Sequence, residues 1–208
     1  LMSKYLVGDI PFKTVYLHGL VRDAQGRKMS KSLGNIVDPV DLINKYSADA
    51  LRMALIVGVG PGSDSNLGED KIKAYTKFSN KIWNATRFVL ENTENFDMST
   101  IPMIAANHQV YLDEWKNLAI GMTKERQEYI LCLVGEKLYH FFWHQFADVL
   151  IEECKKDMND SAKYTLLYLL KQQLKALHPF MPFVTEEVWS LIHNGKPDKL
   201  LIIEEWPT

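Results

Sequence analysis

The chain has 208 residues, 47% hydrophobic and 11% aromatic, enough apolar material for the core of one or two domains, and 24 Lys+Arg against 26 Asp+Glu give a formal net charge of -2. That balance excludes a protein that grips nucleic acid by bulk positive charge, so any RNA contact has to come from local patches and shape. No apolar run approaches the roughly 20 residues that span a bilayer, no charged-apolar-small leader pattern opens the sequence, and Cys132 and Cys154 sit in helical patterns rather than a disulfide or zinc spacing, so a soluble cytoplasmic protein with free thiols is expected.

In chain order, Phe12 to Arg22 carries Val15, Leu17 and Val21 among β-formers and predicts a strand. A lone histidine in such a run, His18, reads as packed and hydrogen-bonded rather than catalytic. Asp23-Ala24-Gln25-Gly26 is turn chemistry that delivers the chain into Arg27-Lys28-Met29-Ser30-Lys31-Ser32-Leu33-Gly34-Asn35. There two lysines three apart straddle hydroxyl residues and the run ends on a glycine, and residues 22 to 31 hold four basic side chains against one acid. Ammonium groups suit phosphoryl oxygens, Ser30 and Ser32 add donors, and Gly34 lets the backbone close, so the stretch reads as a phosphate-holding loop; the alternative is an exposed basic turn.

Asp38-Pro39 reads as an N-cap with proline at the first helical position, opening a short helix through Val40, Leu42, Ile43 and Tyr46. In the next helix Ala50, Leu51, Ala54 and Leu55 share a face, and Asp49 and Arg52 are spaced to pair. Gly58 to Gly62 is loop without the third glycine of a dinucleotide fingerprint. From Leu67 a long amphipathic helix is predicted, with Gly68 as N-cap, Leu67 stapled onto Ile72, and Ile72, Tyr75, Ser79, Ile82, Thr86 and Val89 repeating at three and four. Its other face carries a basic stripe, Lys73, Lys77, Lys81, Asn84 and Arg87, with Trp83 beside it. For an isolated helix that stripe is a solvated face.

Residues 92 to 105 are a polar linker, followed by two or three helices from about Asn107 to Lys156. Trp115, Leu118 and Met122 mark one face, and Ile130, Leu133, Leu138, Phe141, Phe142, Phe146, Val149 and Leu150 are the expected core. Glu136, His140, His144 and Asp148 lie four apart and were they zinc ligands would share one helix face, but the His-Glu-x-x-His glutamate and any cysteine are missing there, so the stripe reads as solvated and no metal is assigned. Tyr164 to Leu177 is a further helix, halted by Pro179 and Pro182 at a corner; Thr185 is expected to cap the next helix, with Glu186 and Glu187 in its first turn. Leu200 to Trp206 is apolar enough to dock back as a strand or extended segment.

Lys28-Met29-Ser30-Lys31-Ser32 resembles the KMSKS motif of class I aminoacyl-tRNA synthetases. The neighbouring Pro11 to Asp23, Gly34-Asn35, Asp38-Pro39, Ala48-Asp49-Ala50-Leu51-Arg52, Pro61-Gly62, Asn80 to Ala85, and His178 to Phe183 before Glu186-Glu187-Val188-Trp189 are similar to the valine branch, with isoleucine as the alternative. The resemblance implies a mainly α fold: residues 1–35 as a C-terminal α/β remnant of the Rossmann-type catalytic domain, 36–66 as a helical unit that contacts the tRNA stem, and 67–208 as an antiparallel anticodon-binding helix bundle. It further implies a parent enzyme that uses ATP and Mg2+ to join valine to its tRNA. Lys31 would be the main transition-state cation and Lys28 its partner. Ser30 and Ser32 would be phosphate or loop-fixing donors, Met29 packing, and Gly34 with Asn35 a hinge. Lys73, Lys77, Lys81, Trp83, Asn84 and Arg87 become candidates for tRNA contact. Ser47 stands where the family has glycine, and Val149-Leu150 where it tends to have aromatics. The His-x-Gly-His signature that forms the other half of the family's ATP site occurs nowhere in the sequence, so the chain is expected to be the C-terminal portion of a longer protein, inactive alone. A free-standing tRNA-binding module is the reading without catalysis.

Overall fold

Helical spacing dominates the sequence from Pro39 onward, and the structure, a computed structural model describing residues 1–196 and 199–207, follows it. In chain order the helices are α1 (Met2–Val7), α2 (Pro39–Lys45), α3 (Ala48–Ile56), α4 (Glu69–Asn92), α5 (Ala106–Gln127), α6 (Leu131–His140), α7 (Ile151–Cys154), α8 (Asp160–Leu177) and α9 (Pro182–Ile192); a π-helical segment, Phe141–Leu150, joins α6 to α7 without a break. Among the described residues the strands are β1 (Val21–Arg22) and β2 (Ser65–Asn66), paired in parallel with Val21 opposite Ser65. The fold is a mainly α bundle preceded by this small α/β remnant.

The predicted strand from Phe12 is shortened to its last two residues. Strand backbone needs lateral partners, and among the described residues Ser65–Asn66 and a bridge to Lys28 supply them at Val21 and Arg22 alone; Val15 and Leu17 are each 72% exposed. The remnant is nonetheless sewn to the loop before α4. Gly62 N–H donates to the Leu17 carbonyl at 3.0 Å, Ser65 N–H to Leu20 at 2.9 Å, and the Asp64 carboxylate receives Leu20 N–H at 2.8 Å and the Arg22 guanidinium at 2.5 Å. Glycine at 19 makes this approach possible, because a Cβ there would lie 2.0 Å from the Ser63 carbonyl oxygen.

The caps fall largely where the sequence puts them. Asp38 accepts from Val40 N–H at 2.8 Å with Pro39 opening α2, and Gly68 stands at the N-cap of α4 with Leu67 packed on Ile72. Ser47 sits at φ 139, ψ 157, backbone territory that is almost exclusively glycine's, and its hydroxyl accepts from Ala50 N–H at 3.2 Å. The expected Asp49–Arg52 pair does not form. Asp49, only 3% exposed, turns instead to α9, accepting from Phe183 N–H at 3.2 Å and Val184 N–H at 2.7 Å. Arg52 donates to the carbonyls of Pro179 at 2.8 Å and Phe180 at 3.1 Å, in the turn between α8 and α9. Orphan backbone groups at the start of α9 and in the turn before it compete better for these charges than the charges do for each other.

Those hydrogen bonds also correct the start of α9. It begins at Pro182 rather than after Thr185, so Asp49 does the capping; Thr185 is buried inside the helix, donating to the Met181 carbonyl at 2.7 Å, and Glu186 and Glu187 fall in the second turn. Glu186 accepts from Leu201 N–H at 2.8 Å and Ile202 N–H at 3.2 Å, which docks the tail as a 3-10 turn (Leu201–Ile203) rather than a strand. Trp206 completes the docking, its indole N–H on the Thr123 hydroxyl at 2.9 Å and its ring under Arg126.

The bundle core is built from Phe78, Ile82 and Val89 of α4, Trp115 and Met122 of α5, Leu138, Phe142, Phe146 and Leu150, and Leu166, Leu170 and Leu174 of α8. Phe78 is fully buried, at the position of α4 where the repeat favoured its neighbour Ser79. Leu133 and Val149 leave the expected core, at 39% and 38% exposed. In α6 the inward face carries Val134, Gly135 and Leu138, and a Cβ on Gly135 would meet Val57 at 2.7 Å, so α3 and α6 touch at that glycine and Leu133 faces away. In the wider π turns Phe142, Phe146 and Leu150 stay inward at a spacing of four, and Val149 rotates out.

Two stability changes follow. Ser47→Gly relieves about 1–3 kcal/mol of backbone strain, against only a few tenths from the weaker cap and about 0.5–1 from chain entropy, so urea unfolding should show a net gain of about 0.5–1 kcal/mol. Asp49→Ala leaves the first turn of α9 uncapped inside the protein and is expected to lower unfolding free energy by about 1–2 kcal/mol, with Asp49→Asn lowering it less because its carbonyl still accepts one N–H.

Candidate functional site

β1 runs directly into the basic loop. Gly26, at φ 77, lets the turn reverse, with its N–H on the Asp23 carbonyl at 2.9 Å, and Arg22 and Lys28 then face each other in an antiparallel bridge. Asp23 is 7% exposed and accepts from Arg27 N–H at 2.8 Å, Gln25 N–H at 3.1 Å, the Arg27 guanidinium at 2.8 Å and the Asn35 side-chain amide at 3.0 Å. The Asn35 hydrogen bond first, then the Arg27 interactions, outweigh burial and hold its carboxyl down to about 2, so it is ionised throughout the neutral range. Beyond it Lys31–Leu33 form one 3-10 turn closed by Gly34 at φ 62, and the Ser30 and Ser32 hydroxyls lie 3.2 Å apart.

The local positive charge divides cleanly. Arg22 is taken up by Asp64 and Arg27 by Asp23, whereas among the described residues neither Lys28 nor Lys31 enters an ion pair. Lys28, Lys31 and Ser32 are exposed, and Met29 and Ser30 are half-buried beneath them. The arrangement presents two ammonium groups and hydroxyl donors to an arriving anion over a neutralised base. Asn35, expected at a hinge with Gly34, is bonded on three sides: besides Asp23 it donates to the Lys28 carbonyl at 3.2 Å and accepts from Ser30 N–H at 2.9 Å. His18 is exposed rather than packed, with Nδ1 2.7 Å from the Gly19 carbonyl, at the edge of a crevice of about 210 Å³ shared with Leu55, Ile56 and Leu131.

The second candidate surface is the α4 stripe, whose helix starts beside the base of this loop, since Leu67 N–H donates to the Arg22 carbonyl at 2.9 Å. Lys73, Lys77, Trp83, Asn84 and Arg87 are exposed; Lys81 is half-buried, bound to Asp148 at 2.7 Å and placed over the Trp143 ring at 5.6 Å. Lys73 pairs loosely with Asp70 at 3.3 Å and Arg87 with Glu91 at 3.6 Å. Trp83 and Arg87 also border a cleft of about 810 Å³ into which α8 brings Lys171, whose pKa is lowered by burial and by Lys175. No sequence signal marked Lys171, since it is one lysine in a leucine-rich helix and only the docking of α8 on α4 gives it these neighbours.

Other candidate chemistry is accounted for by packing. The His140 and His144 rings lie 5.0 Å apart, tilted by 57°, and His144 approaches Asp148 at 3.6 Å, a carboxylate already bound by Lys81. Cys132 and Cys154 are both buried free thiols, and burial pushes the Cys154 thiol up to about 12. Among the described residues no group of three or more His, Cys, Asp or Glu is placed to hold a metal ion, and no helix is long and apolar enough to cross a membrane.

Comparison with known proteins fits both surfaces into one lineage. Residues 1–68 match the family described as tRNA synthetases class I (I, L, M and V), and residues 108–208 the anticodon-binding domain of tRNA ligase. The chain is 43% identical to the valine--tRNA ligase of Clostridium acetobutylicum over 98% of its own length and 24% of the relative's. It is 41% identical to that of Bacillus subtilis over 96% of the chain and 24% of the relative, and 38% identical to that of Geobacter sulfurreducens over 100% and 25%. It thus spans about a quarter of the length of these curated relatives. Among solved structures the same fold is found in the LeuRS–tRNA–LeuAMS complex of Agrobacterium radiobacter K84, at a TM-score of 0.81 and 23% identity over 100% of this chain and 26% of that one. Mycobacterium tuberculosis methionyl-tRNA synthetase with methionyl-adenylate gives 0.66 and 22% over 89% and 39%. With residues 1–68 matching the class I synthetase family, residues 108–208 the anticodon-binding domain, and about 40% identity to valine--tRNA ligases over nearly its whole length, the chain belongs to the class I aminoacyl-tRNA synthetases.

Proposed function

We propose that this chain is the loop-bearing and tRNA-binding portion of a cytoplasmic valine--tRNA ligase, in which valine is activated by ATP as an adenylate and passed to its tRNA. The observation that carries the reading is the partition of charge at the loop: both arginines are neutralised, and the exposed Lys28 and Lys31 are the cations left to meet phosphate. The names of the relatives support valine over the isoleucine branch. We assign residues 1–35 to the catalytic domain, 36–66 to the stem-contacting unit and 67–208 to the anticodon-side bundle.

In the reaction the valine carboxylate attacks the α-phosphorus of ATP, and the bond to the bridging oxygen breaks as pyrophosphate leaves. Negative charge grows on the leaving oxygens, and Lys31, with Lys28 beside it, is the preorganised cation that meets it. Ser30 and Ser32 donate to the same phosphates or fix the turn. Mg2+ does not fit this loop as a protein-held ion: the one carboxylate here, Asp23, is occupied by Arg27 and Asn35. The residues from Tyr5 to Leu17 expose Tyr5, Leu6, Val7, Ile10, Phe12 and Val15, which is the apolar face expected where the rest of a catalytic domain packs.

Lys31→Ala in the full-length ligase is expected to slow pyrophosphate exchange by the loss of one transition-state donor, about 2.7–4 kcal/mol, with the Michaelis constant for ATP little changed. Rapid-quench measurement of adenylate formation checks this, and a raised Michaelis constant at unchanged rate would remove Lys31 from the transition state.

On the α4 surface, Lys77→Glu with Arg87→Glu should weaken tRNA binding by this chain and flatten its salt dependence by about 0.7–0.9 in log K against log salt for each phosphate no longer neutralised. Filter binding across a salt series reads it. Lys81→Glu, by contrast, should also lower the melting temperature, because it sets a second carboxylate against Asp148.

A further inference from the structure

An exposed loop with two like charges gains little enthalpy from holding one shape, yet a cation that acts on a transition state has to be held within about 0.5 Å of its productive place. The groups inside this loop resolve the conflict. Asn35 places one carboxamide at the loop's centre, its Oδ1 on Ser30 N–H at 2.9 Å and its Nδ2 shared between Lys28 O at 3.2 Å and Asp23 Oδ2 at 3.0 Å. Asp23, in turn, gathers the preceding turn through Gln25 N–H, Arg27 N–H and the Arg27 guanidinium. Backbone groups that would otherwise bind water are directed inward, and the side chains of Lys28, Lys31 and Ser32 remain outside. Only a carboxamide offers donor and acceptor from one group at this reach; a carboxylate at 35 would face Asp23 and the Lys28 carbonyl with no proton to give.

We propose that Asp23 and Asn35 are a positioning pair that closes Lys28–Gly34 into a preformed unit, so that both lysines are carried onto the leaving phosphates as one body. The proposal rests on the phosphate-meeting role given to the loop above. It places the flexible joint outside the ring that the pair closes, and makes the lysine spacing a property of the free protein rather than of the bound state. The pair touches neither substrate nor product, and acts through the loop it holds.

The test begins on the 208-residue chain with Asn35→Ala, Asp23→Asn, and the exchange of roles in Asp23→Asn with Asn35→Asp. Hydrogen exchange at Ser30 N–H and trypsin cleavage after Lys28 and Lys31 are the readouts, with the thermal midpoint of the bundle as control. Each single change should speed exchange and cleavage about tenfold at an unchanged midpoint, and the exchanged pair should recover part of that protection, because an amide-to-carboxylate bond is re-formed in the opposite sense. Unchanged exchange and cleavage in Asn35→Ala would overturn the proposal. In the full-length ligase Asn35→Ala should then lower kcat for pyrophosphate exchange about tenfold while KM for ATP and valine stay within about twofold. If the loop loosens and kcat holds while Lys31→Ala lowers it, the positioning role is overturned and the phosphate role stands. If Lys31→Ala is also without effect, the phosphate role falls and the proposal with it.

Discussion

Two charges three residues apart on α3 hold the protein's main corner. Asp49 receives the free N–H groups at the start of α9 and Arg52 gives protons to the carbonyls of the turn between α8 and α9, so one turn of helix satisfies both sides of the break made by Pro179 and Pro182. Burial, which raises the Asp49 carboxyl above its ordinary value, works against its charge, and the α9 amides and Arg52 work for it. A carboxylate this enclosed is tolerated only because the helix ends need it. Through these hydrogen bonds the helical unit behind the loop and the bundle share one rigid joint, and the tail docks on the same α9 through Glu186.

From that joint the loop is reached by short connections. α3 packs on α4 and approaches α6 at Gly135, and the residues between α3 and α4 carry Asp64, which binds Leu20 and Arg22 of the catalytic remnant. The base of the basic loop is therefore anchored to the helical unit by a carboxylate and by the close seat at Gly19. Its basic residues divide in two: the arginines are each fixed on an aspartate, and the lysines are exposed and enter no ion pair among the described residues. Guanidinium forks suit fixed pairing with carboxylates, and ammonium suits a mobile multi-oxygen anion.

The α4 surface shows the same sorting of charge. Lys81 is drawn into the structure by Asp148 and Trp143, while Lys77, Arg87 and Trp83 remain outward beside a cleft that α8 completes with Lys171. Acids also stand on this surface: Asp70 pairs with Lys73, and Glu91, which pairs with Arg87, lines the cleft together with Glu94.

Much of this was legible in the residues. Asp38-Pro39 and Gly68 capped the helices they precede, the apolar repeat of α4 and α8 marked their buried sides, and Lys28 to Ser32 marked the loop, because caps and helical periodicity are local and act through neighbours a few residues away. What the sequence could not decide were choices among partners distant along the chain. Asp49 and Arg52 were spaced to meet each other and chose the start of α9 and the turn before it instead; Thr185 looked like a cap and yielded that role to Asp49; the run from Phe12 had strand composition and paired, among the described residues, with Ser65–Asn66 and Lys28 at its last two residues. Val149 left the core when the helix widened into π turns, and Asn35 found three partners, Asp23, Lys28 and Ser30, that only the folded loop brings to it. In each case the deciding term is the satisfaction of a backbone or charged group by one brought close in folding, and that proximity exists only once the tertiary structure has formed.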